Sequence, residues 1–378
     1  MSTESVIPYD LVATKMNYWY NCIKNNRSAA AEKAKAEVEQ EIKVMEENQD
    51  ALVYFSLLEF RHQLMLEELY PGSEIKIDKH YKKLKEAKGS QDLYGMLEYY
   101  YHFFMGMYHF RQKELVFSLN CYRKAELEIE AIEGDSTEKA EFYFKMAEVY
   151  YHMKQTYFSM NYAKRAYAIY KQEPTYGNRR VHCQFVIAGN WLDNMHIEEA
   201  LKHAKQALED AKKFGENYLI RKALFNIGVC YTNLEEFDKA SEFYLKSLDI
   251  LEPKNDEFTA RALYLLAYTK ARQNDLKSSK KFYEKSLKLA QKSNIVETLE
   301  TLKIVKGIYL DRDLDLVRET FEFFEEKKLY PDMEWYGICI GDALTEQGEI
   351  RGANEFYRKA IEARKKIRRG DFLNENEI

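Results

Sequence analysis

Apolar and small residues recur along this chain with two periods. Within each helix-sized stretch they fall three and four apart, the spacing that gathers them on one face of an α-helix. The arrangement as a whole then repeats about every 40 residues from Tyr99 to near the C-terminus. In each period a small residue holds the eighth position: Gly106, Ala147, Ala188, Gly228, Ala267, Gly307 and Gly341. A second stands twelve residues later, at Ser118, Ser159, Ala200, Ala240, Ser279 and Ala353. A third follows after seven more, at Ala125, Ala166, Ala207, Ser247, Ser286 and Ala360. Paired helices approach closely only where side chains are small, so the pattern predicts seven helical hairpins, starting near 99, 140, 181, 221, 260, 300 and 334. The stretch 300–333 fits worst, with Glu319 and Glu326 at the small positions of its second helix. Pro174, Pro253 and Pro331 fall just past second helices, where a helix can stop.

The clearest copy runs from Arg221 to Pro253, with Leu224, Ile227, Gly228, Tyr231, Ala240 and Tyr244 in register. It resembles the tetratricopeptide pattern W-x2-L-G-x2-Y…A-x3-F…P, with Leu224 for the tryptophan and Ile227 for the leucine. Such hairpins stack into a quasi-one-dimensional array with a long surface for peptides or proteins. Residues 1–70 lack that register and contain no glycine. Helical spacing there predicts three helices, about 9–25, 28–47 and 50–69, with Ser28 as N-cap of the second and Leu52, Phe55, Leu58, Leu66 and Leu69 along the third. The expected fold is all-α: a three-helix bundle over 1–70, a charged linker with a short helix over 71–98, and a right-handed tetratricopeptide superhelix of about seven repeats over 99–370.

Composition narrows the function classes. Five prolines and fifteen glycines among 378 residues, with 46% apolar and 31% charged side chains, suit a largely helical soluble chain. A formal charge of −5 gives no overall pull toward nucleic acid, and the basic runs Lys79–Lys88 and Arg364–Arg369 read as solvated helix faces. No membrane span and no basic-then-apolar leader are visible, so the expected location is the cytoplasm. Cys22, Cys121, Cys183, Cys230 and Cys339 are widely spaced and read as free thiols in a reducing compartment. There is no P-loop, HExxH, GxSxG or GxGxxG, and the eight histidines lack metal-ligand spacing. No metal or cofactor of its own is expected, so any chemistry has to be shared with a partner.

Several runs carry a family resemblance. Met45-Glu-Glu-Asn-Gln49-Asp50, Phe60-Arg61-His62, Gly106-Met107-Tyr108, Glu138-Lys139-Ala140-Glu141-Phe142, Met153-Lys154-Gln155-Thr156, Phe185 to Asn190 and the closing Arg364 to Gly370 resemble the Rap family of response-regulator aspartate phosphatases and related regulators of bacilli. The resemblance implies a quorum-sensing receptor. Its bundle would bind a response regulator or another regulatory protein, and its repeats would bind a short Phr peptide, a penta- or hexapeptide that shuts the activity off. It implies aspartyl-phosphate phosphatase activity, with a divalent cation supplied by the partner. The alternative within the family is a non-catalytic regulator that sequesters a transcription factor or acts on a mobile-element protein. A peptide-gated transcription factor with an N-terminal helix-turn-helix fits poorly, because the first 70 residues lack a glycine for the turn. The stretch Glu37–Asp50, rich in carboxylates with one lysine, would also repel phosphates.

By position the family's phosphatase glutamine falls on Gln49, at a turn between helices. One held amide there can orient a water in line with the phosphorus, as a glutamine does in GTPases. Leu52 and Phe60 match target-contact positions, and Asp135 and Glu138 are candidates on the rim. For the peptide, Asn226 is the first candidate: an asparagine amide offers a donor and an acceptor, so it can hold both backbone groups of one extended residue. Asp193 could pair with a basic group, and Glu148, Phe185, Tyr264 and Tyr268 fall on groove positions by register. Regulation is expected as a population shift in which peptide compacts the repeats and the bundle no longer presents Gln49. A decisive switch needs a preference of about 5 kcal/mol for the compact state.

Overall fold

Small residues let helices close on one another, and in this chain they do so at a fixed spacing. The computed structural model describes residues 6–69, 77–89, 93–131, 136–250, 256–371 and 373. Among the described residues the secondary structure is helical apart from one isolated bridge, between Ile7 and Met45. The bundle consists of α1 (Tyr9–Lys24), α2 (Ser28–Glu41) and α3 (Gln49–Leu69), followed by α4 (Ile77–Gly89). Seven hairpins come next: α5 (Gly95–Arg111) with α6 (Leu115–Ala131), α7 (Ser136–His152) with α8 (Thr156–Gln172), and α9 (Gly177–Asp193) with α10 (Ile197–Phe214). They continue as α11 (Asn217–Asn233) with α12 (Phe237–Asp249), α13 (Asp256–Arg272) with α14 (Leu276–Lys292), and α15 (Val296–Val305) with α16 (Leu314–Glu326). The last is α17 (Tyr330–Glu346) with α18 (Ile350–Arg369).

At Gly106, Gly228 and Gly341 an added Cβ would lie 2.3, 2.5 and 2.4 Å from the rings of Tyr122, Tyr244 and Tyr357 on the second helix. Only a missing side chain allows that approach. Serines add a bond at this crossing: Ser118 Oγ donates to Gly106 O at 2.8 Å, and Ser279 Oγ to Ala267 O at 2.8 Å. The irregular sixth hairpin has a physical explanation. Its first helix ends in a π-helical turn, Lys306–Leu310, and its second helix starts at Leu314. The register therefore slips by two, and Gly307 faces Val317 and the Asp313 carbonyl. The buried positions become Val317, Phe321 and Phe324, and Glu319 and Glu326 are no longer called on to be small. Pro331 opens α17 in its first turn, where a proline is tolerated, and Pro253 lies outside the described residues.

The connection inside each hairpin is a single repeated device. Lys113, Lys154, Met195, Glu235, Asn274, Arg312 and Gly348 all have positive φ, from 54° at Arg312 to 81° at Gly348. One left-handed residue turns the chain, and in every hairpin but the sixth its next amide returns to a carbonyl of the first helix, as in Glu114 N–H to His109 O.

By packing, the chain divides inside α7, between Val149 and Tyr150. The first unit holds the bundle, α4 and the first hairpin, because α3 packs on α1 and α2 on one side and on α4 and α5 on the other. Tyr54 stacks on Tyr100 and Phe60 meets Tyr108. That leaves α3 buried almost all round, with Leu57, Leu58, Phe60 and Met65 fully inside, instead of along the single stripe expected from Leu52, Phe55, Leu58, Leu66 and Leu69. The second helix is shorter than expected: it stops at Glu41 because residues 44–46 leave the helix to bridge Ile7. Its N-cap position is Arg27, one residue before the expected Ser28, and the Arg27 side chain makes no cap bond. In the second unit consecutive hairpins pack in chain order, and one large core runs from Ala200 to Ala363.

Gly348 occupies a left-handed turn open to solvent, and Met195 the equivalent turn two-thirds exposed or more. Gly348→Ala is expected to cost about 1–2 kcal/mol and Met195→Gly to gain up to about 1 kcal/mol, read from urea denaturation followed by helical circular dichroism.

Candidate functional site

Gln49 is the first residue of α3, and its side chain is exposed. Among the described residues its amide has no hydrogen-bond partner. The Asn48 side chain accepts from Ala51 N–H at 2.9 Å, so Asn48 caps the helix that Gln49 begins. Leu52, one turn on, is 40% exposed and lies on the outer side. These two candidates share an accessible end of the bundle.

The other target-side candidates do not join them. Phe60 is 0% exposed and packs against Tyr108, so it is core. Its neighbours in the run are interior too: Trp19 Nε1 donates to His62 Nδ1 at 3.1 Å, and Arg61 is buried beside it. Burial, with Lys35 and Arg61 nearby, lowers the His62 pKa from its ordinary 6.5 to about 4. Glu138 is 0% exposed, so it is not on a rim. Its Oε1 accepts from the Tyr20 hydroxyl at 2.8 Å and the Tyr99 hydroxyl at 2.9 Å, and its Oε2 pairs with Lys24 Nζ at 3.0 Å. Burial and the adjacent carboxylate raise both phenols, so both remain protonated donors. This cluster ties α1 to α5 and α7. Asp135 lies outside the described residues. Glu148 pairs with Lys145 at 2.7 Å and lines a cavity of about 110 Å³ with Leu64, Met107 and Tyr122, so it faces the bundle's unit and not a peptide groove.

On the second unit, the first helices of successive hairpins form a face of their own. Asn226 lies half-buried on it, with no hydrogen-bond partner among the described residues. Asp193 pairs with Lys154 at 2.9 Å, and Lys154 lies over the Tyr151 ring. Asp332 is solvent-exposed, yet burial of its surroundings and Glu297 raise its carboxyl pKa while Arg261 and Lys154 oppose the rise. Lys154, Asp193, Arg261, Glu297 and Asp332 thus share one electrostatic field although they come from different hairpins. The sequence reading missed all of these but Asp193. Lys154 looks like a turn residue and Asp332 like a helix start after Pro331, and nothing local shows that they face the same space. Phe185, 9% exposed, packs with Val181, Ala207 and Leu219 beneath Lys222. Tyr264 and Tyr268, 2% and 4% exposed, pack against Tyr336, Tyr309 and Trp335. All three serve packing between repeats, a correction to their reading as groove contacts.

Comparison with known proteins agrees with this anatomy. Residues 6–67 match the family model described as response regulator aspartate phosphatase H, N terminal, and residues 197–252 and 260–293 match tetratricopeptide repeat models. The chain is 42% identical over 372 residues to response regulator aspartate phosphatase I of Bacillus subtilis (strain 168), covering 98% of this chain and 95% of that one. The chain belongs to the Rap family. Another Rap relative, response regulator aspartate phosphatase A of the same organism, is 40% identical and covers 99% of this chain and 100% of its own. Among solved structures, a Rap protein complexed with competence and sporulation factor superposes with a TM-score of 0.84 at 36% identity, covering 96% of this chain and 100% of that one. No helix among the described residues is long and apolar enough to cross a membrane, and all five cysteines are free thiols.

Two outcomes follow for this Rap protein. Lys24→Met removes the ammonium paired with the buried Glu138 carboxylate, and is expected to destabilise by about 3–5 kcal/mol in urea melts. His62 has a lowered folded pKa, so the unfolded chain binds more protons between pH 6.5 and 4. Its stabilising contribution is complete above pH 6.5 and is lost as pH falls toward 4. Wild type should lose up to about 3 kcal/mol more than His62→Gln between pH 7.5 and 4, measured as the difference in their urea midpoints.

Proposed function

We propose that this protein binds a phosphorylated response regulator through the exposed end of its bundle and promotes hydrolysis of the aspartyl phosphate. The observation that carries the reading is Gln49: an accessible, unpartnered amide at the capped start of a helix. In the complex the Gln49 amide oxygen would accept a hydrogen bond from one water and aim its oxygen at phosphorus. The water oxygen–phosphorus bond forms, the phosphorus–oxygen bond to aspartate breaks with its electron pair leaving on the aspartate carboxylate, and one water proton passes to a phosphoryl oxygen, giving dihydrogen phosphate. The partner's divalent cation would neutralise charge on the phosphoryl oxygens. Gln49 then contributes position and not acid–base chemistry, which suits a group that does not titrate.

A short Phr-type peptide would lie along the first-helix face of the second unit. Asn226 would hold its backbone, and the Lys154–Asp193 pair would open to receive a charged side chain or terminus. Peptide occupancy would favour the state in which Glu138 keeps α1 latched to α5 and α7, removing the bundle from its target. The expected setting is the cytoplasm, where response regulators work.

The test mixes the protein with phosphorylated response regulators of its host and follows loss of phosphate. Gln49→Ala should slow dephosphorylation by about 100-fold while binding persists. Binding without hydrolysis in the wild type would assign the protein to sequestration instead. Asn226→Ala should weaken peptide affinity by about 30-fold, the loss of two backbone hydrogen bonds, in calorimetric titration.

A further inference from the structure

The seven residues between α2 and α3 are held at three points. Lys15 on α1 forms an ion pair with Glu41, where α2 ends. In mid-loop, Ile7 N–H donates to Val44 O at 3.0 Å and Glu46 N–H donates to Ile7 O at 2.8 Å, so one residue exchanges both backbone bonds with the loop. At the far end Asn48 accepts from Ala51 N–H through its side chain at 2.9 Å and from Leu52 N–H through its carbonyl at 3.2 Å. Ile7 is itself held, since Pro8 precedes α1 directly and Val12 and Met16 anchor that helix in the core. Three restraints on a surface loop are more than connection requires. Their shared consequence is a fixed backbone at the residue that follows them, Gln49.

We propose that Asn48 and Ile7 are positioning residues for the Gln49 amide, a step that rests on the reading of Gln49 as the water-orienting group. An exposed glutamine has free side-chain torsions, and its useful reach depends on where its Cα stands. A displacement of about 1 Å at a reacting group can lower a rate by about 100-fold. Asn48 fixes the first turn of α3, and the Ile7 bridge fixes the loop that delivers the chain to it. Neither touches substrate, so their loss acts on turnover and not on docking.

The experiment compares full-length wild type, Gln49→Ala, Asn48→Ala, Asn48→Ser, Ile7→Pro and Asp275→Ala on a phosphorylated receiver protein that the wild type dephosphorylates. Ile7→Pro deletes the donor to Val44. Asp275→Ala removes an equivalent cap far along the chain, where Asp275 accepts from Ser278 N–H at 3.0 Å, and so controls for cap loss as such. Asn48→Ala and Ile7→Pro should each lower kcat about tenfold at unchanged KM, with faster amide hydrogen exchange over residues 46–52. Asn48→Ser, which can still cap, should restore both, and Asp275→Ala should change neither. The proposal is overturned if Asn48→Ala keeps wild-type kcat and exchange while Gln49→Ala abolishes turnover. It is equally overturned if KM rises in step with the fall in kcat, or if Asp275→Ala loses as much. Full turnover by Gln49→Ala would instead remove the underlying reading of Gln49.

Discussion

Each hairpin closes where its first helix carries a small residue, glycine or alanine, at the point where the second helix crosses it. Rings of Tyr122, Tyr244 and Tyr357 occupy space that a Cβ on Gly106, Gly228 or Gly341 would need. Serine hydroxyls of Ser118 and Ser279 reach the same backbone in the first and fifth hairpins. That approach brings the two helices of each pair close together, and in the second unit the first helices form a face of their own. The charges on this face then interact although no two lie close in sequence: Lys154 and Arg261 both act on Asp332. The sixth hairpin shows the constraint from the other side. Where the first helix is two residues short, a π-helical turn takes up the mismatch, and Val317 and Phe324 take over positions that are small elsewhere.

The bundle depends on a different bargain. Glu138 is wholly buried and accepts from two tyrosine hydroxyls and pairs with one ammonium, joining α1 to α5 and the start of α7. A buried ion pair of this kind gains little over a well-packed apolar cluster, because taking both charges from water costs nearly what their attraction returns. What it does provide is geometry: the carboxylate is satisfied only when α1, α5 and α7 are all in place. A contact that is either complete or expensive suits an interface that has two states. Gln49 sits at the opposite extreme, exposed and unpartnered, at an end of the bundle held by backbone bonds.

Legibility differed between these regions for physical reasons. The hairpins could be read because their requirement is local and periodic, and Gly106, Ser118 and Ala125 already show it within one repeat. The start of α3 could be read nearly to the residue, since the helical spacing of its apolar positions runs from the first turn, and the structure adds that Asn48 caps it. The end of α2 could not, because the bridge that stops it comes from Ile7, thirty-odd positions earlier.

The sequence by itself determined the helical class, the number and spacing of the hairpins, the membership of the Rap family and the position of Gln49. Those follow from short-range rules: which side chains are small, how apolar positions are spaced, which motif stands at a turn. Only the tertiary structure decided that Phe60 and Glu138 are interior, that Glu148 faces the bundle's unit, and that Tyr264 and Tyr268 serve packing. Helical register says which face of its own helix a residue occupies. What covers that face depends on a neighbour supplied from elsewhere in the chain, and the free energy of burying a carboxylate or a ring is settled by that neighbour's chemistry.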